Sequence, residues 1–161
     1  LLLREGKGSF KGEYYQIDNA ILEPGVVQKP RPPITVGAMG PSMIRIAVEY
    51  GDSWNSFGGD FTSPPDVMYN DTRERIKILE DHCKKIGRDS HTIRRSYLVF
   101  GQEGGQVFAS EESFHKIVER YTSIGINELI FYYPFFDSNQ IPILERVAKD
   151  VIPEIKVNWK K

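Results

Sequence analysis

Cysteine is nearly absent from the 161 residues. Cys83 stands alone, so the chain has no internal disulfide and no cysteine set for a zinc ion, a usage that fits a reducing compartment. Charge of one sign is also missing. With 21 Lys+Arg against 22 Asp+Glu the formal charge is −1, and without a Lys/Arg cluster there is no electrostatic footprint for nucleic acid. Long apolar runs are missing too, since the longest, Leu129 to Phe136, is far short of the ~20 residues of a membrane helix. The opening Leu1-Leu2-Leu3-Arg4-Glu5 lacks a signal-peptide layout. A cytoplasmic chain with neither nucleic acid nor membrane as partner is expected. The same opening reads as the last turn of a helix and has no Met, as expected of a piece of a longer chain. What the sequence does have is an apolar share of 40%, enough for a core in a domain of ordinary size.

Gly51, Gly87 and Gly125 each close a helix-period stretch and precede a β-rich run, the signature of an αβ junction. Their separation is close to one strand, one helix and two loops of an eight-unit barrel of about 250 residues. Strands are expected over 34–38, 53–57, 95–101 and 128–132. A helix over 71–86 places Ile76, Leu79, Cys83 and Ile86 on one stripe, opened by Asp71-x-x-Glu74 in capping-box style. Another over 111–124 carries Phe114, Ile117, Val118, Tyr121 and Ile124, with Ser110 as its cap. The last, over 141–152, repeats the pattern with Ile143, Leu144, Val147, Ala148 and Val151. Ahead of them, residues 8–17 read as a hairpin, and Pro24 to Pro33 contains four prolines and no regular structure. The expected fold is α/β, a half TIM barrel of (βα)4 with parallel strands and an N-terminal hairpin and Pro-rich segment. Its expected divisions are a helix end, hairpin and Pro-rich lead-in over 1–33, the (βα)4 half barrel over 34–153, and a tail over 154–161.

In such an architecture function collects in the loops after strand C-termini. Four are eligible: 37–42, 58–70, 102–109 and 133–140. In the first, Gly40 permits a tight turn, Pro41 suits the first helical position, and the free N–H groups that follow attract an anion such as phosphate. Ser42 adds a hydroxyl, and Arg45 reaches the same place if its side chain folds back. An economical strand-to-helix turn explains the same residues without a ligand. The segment lacks the Gly-Lys-Ser/Thr of a Walker loop and the full dinucleotide fingerprint. The second loop is long enough for a lid or a plain surface insertion. The third, with Glu103, Gly104 and Gly105, reads as a flexible polar connection. In the fourth, Tyr132, Tyr133, Phe135 and Phe136 either wall a pocket for a flat ring or pack in the core. His82, His91 and His115 fall outside all four loops, and Cys83 lies on a core stripe. The carboxylates of Asp60, Asp66, Glu103 and Asp137 are not paired by any spacing. If the chain serves an enzyme, a cofactor carries the hard chemistry.

Several segments together resemble the C-terminal half of the bacterial-luciferase-like monooxygenase family of flavin- and deazaflavin-dependent TIM-barrel oxidoreductases. They are the Phe-x-Gly-x-Tyr-Tyr hairpin of Phe10 to Tyr15, the proline-rich stretch Gln28 to Gly37, and Gly40-Pro41 through Ala47-x-x-Tyr50-Gly51-Asp52-Ser53-Trp54-Asn55. His82-Cys83-x-x-x-Gly87-Arg88-Asp89 and Gly125 to Phe131 complete the series. The resemblance implies that Gly37, Ala38, Met39, Gly40, Pro41 and Ser42 hold a cofactor phosphate through backbone N–H groups. It also implies that Asn55, with Ser56 nearby, faces the same site. Ala38-Met39 stands where the family often has another glycine, and Ser53 follows Asp52 where glycine is common.

The implied cofactor is FMN or the 8-hydroxy-5-deazaflavin coenzyme, with NAD(P)H as a candidate reductant and a small organic molecule as substrate. The flavin ring would rest mainly on the N-terminal half, so the catalytic residues lie outside this chain, which is expected to be incomplete for catalysis alone. The inner apolar face and sheet edges imply pairing with a missing N-terminal half barrel or a second copy as a homodimer. The alternatives are a non-catalytic flavin- or phosphate-binding half-barrel module, a doubly wound nucleotide domain, or a structural domain whose glycines serve turns.

Overall fold

The fold is that of a computed structural model, which describes residues 1–57, 62–132 and 138–159. It divides into two units, Leu1–Ile34 and Thr35–Lys161. In the first, the short helix α1 (Leu2–Glu5) is closed by Gly6 in the left-handed conformation. Strands β1 (Lys7–Lys11) and β2 (Gln16–Ile21) then form an antiparallel hairpin whose register shifts between Gly8 and Phe10. Ser9 lies in that irregularity and fills in for lost ladder bonds: its hydroxyl donates to Asp18 and accepts from the Asn19 N–H. The proline-rich stretch that follows has no regular structure, because proline lacks the N–H that a helix or ladder needs.

The second unit begins with β3 (Thr35–Gly37), α2 (Pro41–Tyr50), β4 (Ser53–Phe57) and α3 (Pro65–Ile86). It continues through β5 (Arg94–Val99), α4 (Gly101–Gln106), α5 (Glu111–Thr122) and β6 (Glu128–Phe131). It ends with α6 (Ile141–Arg146), a π-helical stretch Val147–Val151, and α7 (Ile152–Trp159). The four strands β3-β4-β5-β6 form one parallel sheet in chain order. This is the α/β, parallel (βα) arrangement of a partial TIM-like barrel, as the sequence pattern implies.

Strand alternation then sorts the side chains. Trp54, Tyr97 and Val99 are wholly buried and belong to the core built with α2, α3 and α5. On the other face, Gly37, Asn55, Ser96 and Glu128 stand in one row of the register. Thr35 and Gly37 are exposed there, and Asn55, Phe57 and Leu98 are half-buried. The helices therefore cover one face of the sheet.

Local chemistry explains the boundaries. Gly87 closes α3 at φ 69, where a residue with Cβ is strained. Gly51 has an ordinary φ, but a Cβ there would sit 2.7 Å from the Ala47 carbonyl oxygen. Arg88 donates to the carbonyls of Val48 and Gly51 and so satisfies the end of α2.

Several expectations are corrected. Helix α3 starts at Pro65 rather than at 71, because Pro64 is extended, Pro65 fits the first helical position and Asp66 favours the first turn. Asp71 is thus inside the helix, where it pairs with Arg75 at 3.5 Å instead of capping, and the connection after β4 is shorter than expected. Ile86 is 47% exposed and leaves the apolar stripe after Cys83. Residues 101–106 are helical, and α7 continues through the expected tail as far as Trp159.

These burials separate two aliphatic residues that share a helix. Leu79→Ala removes a wholly buried side chain and should cost about 2–5 kcal/mol. Ile86→Ala, at the exposed end, should stay within about 0.5 kcal/mol. Urea denaturation midpoints at constant m-value would check the pair.

Candidate functional site

The C-terminal ends of the parallel strands gather the connections β3–α2, β4–α3, β5–α5 and β6–α6. The first holds most of the expected site residues. Gly37 ends β3, Ala38 is buried, Met39 is 39% exposed, and Gly40 is the N-cap residue of α2 with Pro41 at its first turn. No side chain caps this helix. Among the described residues, the backbone N–H groups of Ser42 and Met43 have no acceptor in the chain, so the positive end of the helix is presented outward. Arg45 folds back as expected, with its guanidinium donating to the Ser42 hydroxyl at 3.2 Å. A Cβ built on Gly37 or Gly40 would meet no atom within 4 Å. Open space therefore lies beside donors that lack partners, which is what a phosphate group requires.

Two of the expected donors are unsuitable. The Ala38 N–H is already given to the Asn55 carbonyl at 3.0 Å, and the Ala38 carbonyl accepts from Trp54 Nε1 at 2.8 Å. Pro41 has no N–H. Gly40 has φ −86 and ψ 152, a conformation open to any residue, so it contributes room rather than a special turn.

Asn55 lies directly opposite Gly37 in the β3–β4 register. Its amide donates to Ser96 Oγ at 2.8 Å, and Ser96 Oγ donates to the Trp54 carbonyl, which fixes the Asn55 rotamer on the open face. Ser56 points the other way: it is wholly buried and accepts from Arg75 of α3 at 3.3 Å. The expectation that it faces the site with Asn55 is therefore wrong by one strand step.

The second connection includes 58–61, and the fourth includes Tyr133, Phe135, Phe136 and Asp137, all outside the described residues. Of the expected aromatic wall, Tyr132 is 46% exposed and its ring lies 5.2 Å from that of Phe100. None of the three histidines is in these connections: His82 faces Glu49 at 3.1 Å, and His91 and His115 lie in the turn before β5 and in α5. Cys83 is buried, and burial pushes its thiol up, away from the reactive thiolate. Among the described residues no cluster could hold a metal ion, and no helix is long and apolar enough to cross a membrane. A cavity lined by Lys77, Glu80, Lys84, Arg88 and His91 opens at the other end of the sheet, before β5, away from these connections.

Sequence reasoning missed Glu103. Instead of lying in a flexible polar loop, it is 6% exposed within α4. Its Oε2 lies 2.6 Å from Tyr121 Oη and 3.4 Å from Tyr97 Oη, and those two hydroxyls are 2.8 Å apart. The tyrosine rings stack at 3.9 Å. Desolvation raises the Glu103 carboxyl above its ordinary range, against the lowering effect of the hydrogen bond from Tyr121 and of nearby Arg120. Desolvation also raises the Tyr121 phenol far above its ordinary value. One signal for this was in the chain: two tyrosines at core positions need an acceptor for their hydroxyls.

Comparisons with known proteins bear on the fold and the family. The family profile of luciferase-like monooxygenases matches residues 1–101. Among solved structures, the coenzyme F420-dependent tetrahydromethanopterin reductase of Methanopyrus kandleri superposes with TM-score 0.71 at 14% identity, covering 95% of this chain and 60% of that one. An F420-dependent secondary alcohol dehydrogenase, in complex with an F420-acetone adduct, superposes with TM-score 0.64 at 19% identity, covering 91% and 57%. At such identities the likeness is one of fold, and the chain spans less than two thirds of either structure. No curated protein matches the chain.

Trp54 links the core to the candidate site through Ala38. Trp54→Phe keeps the ring and strands the Ala38 carbonyl, so it should destabilise the domain by about 1–3 kcal/mol. Denaturant unfolding would measure it.

Proposed function

The chain belongs to the luciferase-like monooxygenase family, and from that premise we propose that it is part of a flavin- or deazaflavin-dependent oxidoreductase whose cofactor phosphate it holds. The observation that carries this reading is the uncapped first turn of α2 beside the open space at Gly37 and Gly40. The N–H groups of Met39, Gly40, Ser42 and Met43, the Ser42 hydroxyl and the Arg45 guanidinium are the donors. Gly37 leaves the room, Pro41 sets the turn, and Ala38 anchors the loop to Asn55 and Trp54 rather than touching the phosphate. The cofactor is FMN or the 8-hydroxy-5-deazaflavin coenzyme named in the two structural neighbours, with NAD(P)H as reductant where FMN is bound. Such a cofactor supplies hydride transfer to or from a small organic substrate. The chain's own part is to bind and orient it. A cytoplasmic setting fits a lone cysteine buried as a thiol.

A second reading, a flavin- or phosphate-binding module without turnover, is favoured by one observation. Among the described residues, the side chains next to Gly37 on the open face, Thr35 and Asn55, carry no titratable group. NAD(P)H oxidation by the flavin-loaded protein separates the two readings.

Ser42→Asp tests the phosphate site directly. A carboxylate at that position favours the helix N-terminus while repelling an anion, so thermal stability should hold or rise. FMN affinity should fall at least about tenfold, equivalent to about 1.4 kcal/mol, and affinity for riboflavin, which lacks the phosphate, should not change. Equal losses for both ligands would place the phosphate elsewhere.

The open sheet face, with Phe57, Leu98 and the 41% exposed Ile130, and the edge strands β3 and β6 are proposed to be covered by further βα units. For this chain by itself the simplest source is a second copy, as a homodimer. Sedimentation at high dilution should show a species heavier than 18.4 kDa; a monodisperse monomer excludes it.

A further inference from the structure

Helix α4 is short and glycine-rich, a composition that by itself favours disorder. Its order comes from side-chain ties to neighbouring elements. Glu103 reaches down to Tyr97 of β5 and Tyr121 of α5. Arg120, the residue before Tyr121, lies 3.9 Å from Glu103 Oε1 through its Nε. Its Nη2 donates to the Pro65 carbonyl at 3.0 Å and to Asp66 at 2.7 Å, where α3 begins. Its guanidinium sits 4.8 Å over the ring of Tyr69. On the other side, Gln140, 6% exposed and just before α6, donates from Nε2 to the Gly105 carbonyl at 2.8 Å. The first turn of α3, the last turn of α5 and the residue before α6 are thus joined through six residues of α4, which itself follows the C-terminal end of β5.

We propose that Glu103 is a positioning residue: through Tyr97, Tyr121 and Arg120 it holds α4 as a brace against β5, the last turn of α5 and the first turn of α3, at the flavin end of the sheet. That this end receives the flavin rests on the functional reading above; the brace itself rests on the contacts. Glu103 is the tie that binds α4 to the sheet and to α5. Tyr121 Oη lies within hydrogen-bond distance of both Glu103 Oε2 and Tyr97 Oη, 2.6 and 2.8 Å away, and Tyr97 Oη donates to the same carboxyl, so the three groups form one connected set. Without the carboxyl, two buried hydroxyls lose their terminal acceptor, and buried polar groups without partners are expensive.

The groups facing Glu103 are Tyr97 from β5, Tyr121 and Arg120 from α5, and, through Arg120, Asp66 from α3. Its carboxyl is raised above the unfolded value in the folded state. Desolvation outweighs the hydrogen bond from Tyr121 and the charge of Arg120, which favour the carboxylate, so relative to the unfolded chain the contribution of this group to folded stability is full below the ordinary glutamate range of about 4.3. As pH rises through the raised value, that contribution is lost and α4 opens more readily.

Hydrogen exchange of the intact chain, corrected for the intrinsic pH dependence, reads this directly. Glu103→Ala should speed exchange in 101–106 and at Val67 and Met68 by about tenfold or more, with the β4 and β5 amides unchanged. In the wild type, protection of α4 should decline as pH rises. In Glu103→Gln, which keeps an acceptor and cannot ionise, protection should be flat with pH. Loss spread evenly over the domain, or the same pH dependence in wild type and Glu103→Gln, overturns the proposal. If Glu103→Ala fails to fold, the comparison of wild type with Glu103→Gln decides it.

FMN titration of the same proteins is the second arm. Glu103→Ala should weaken binding several-fold and Glu103→Gln restore it. Unchanged FMN affinity in a Glu103→Ala protein whose α4 has loosened overturns the positioning role. A wild type that takes up no FMN and no deazaflavin removes the functional reading instead, and exchange alone then judges the brace.

Discussion

One-sided burial of a parallel sheet is the constraint on which the rest of this structure depends. Parallel strands usually have both faces covered, and here the helices cover the face of Trp54, Tyr97 and Val99. Alternation leaves Gly37, Asn55, Leu98 and Ile130 on the other. The same alternation separates Asn55 from Ser56, so one step along β4 divides a residue available to a ligand from one locked beneath α3. Because all four strands run the same way, each returning helix starts at one end of the sheet. Uncapped amides, the aromatic pair of Phe100 and Tyr132, and the buried Glu103 all collect there.

Much of this was legible from residue patterns. The strand and helix order followed from periodicity, and the β3–α2 segment stood out because Gly40-Pro41 announces a helix start whose N–H groups need partners. What stayed hidden had two physical sources. Helix beginnings without a side-chain cap leave a weak trace: Pro64-Pro65 reads as loop, although Pro65 at the first turn is compatible with helix, so residue pattern alone starts α3 six residues late. Tertiary override was the other source. Gln102 to Gln106 has no helical pattern of its own, and its conformation is imposed by the partners of Glu103 and Gly105, which lie at distant sequence positions.

The proposed phosphate donors show a further limit of linear reading. A run such as Gly37 to Ser42 presents its residues as equals, but the folded backbone sorts them by whether each N–H is already spent. Ala38 gives its N–H to Asn55 and its carbonyl to Trp54, and this double tie holds the loop so that the amides after Gly40 stay outward. A residue can therefore belong to a binding loop by fixing it and never meet the ligand. Both ties of Ala38 are made by its backbone, so they do not depend on a polar side chain there.

The two ends of this site are held by opposite means, and that bears on how it can work. The α2 end offers unpartnered backbone donors and a guanidinium on the surface, features that cost little to maintain and are completed by an anion. The α4 end does the reverse. It buries a carboxyl and two phenols, accepts the desolvation this entails, and ties α4 to β5 and the last turn of α5. A cofactor anchored by its phosphate at the first end would be free to swing about that anchor unless the surrounding connections were rigid. The expensive network belongs at the second end for that reason: binding at one point requires only donors, whereas orientation requires that the neighbouring walls do not move.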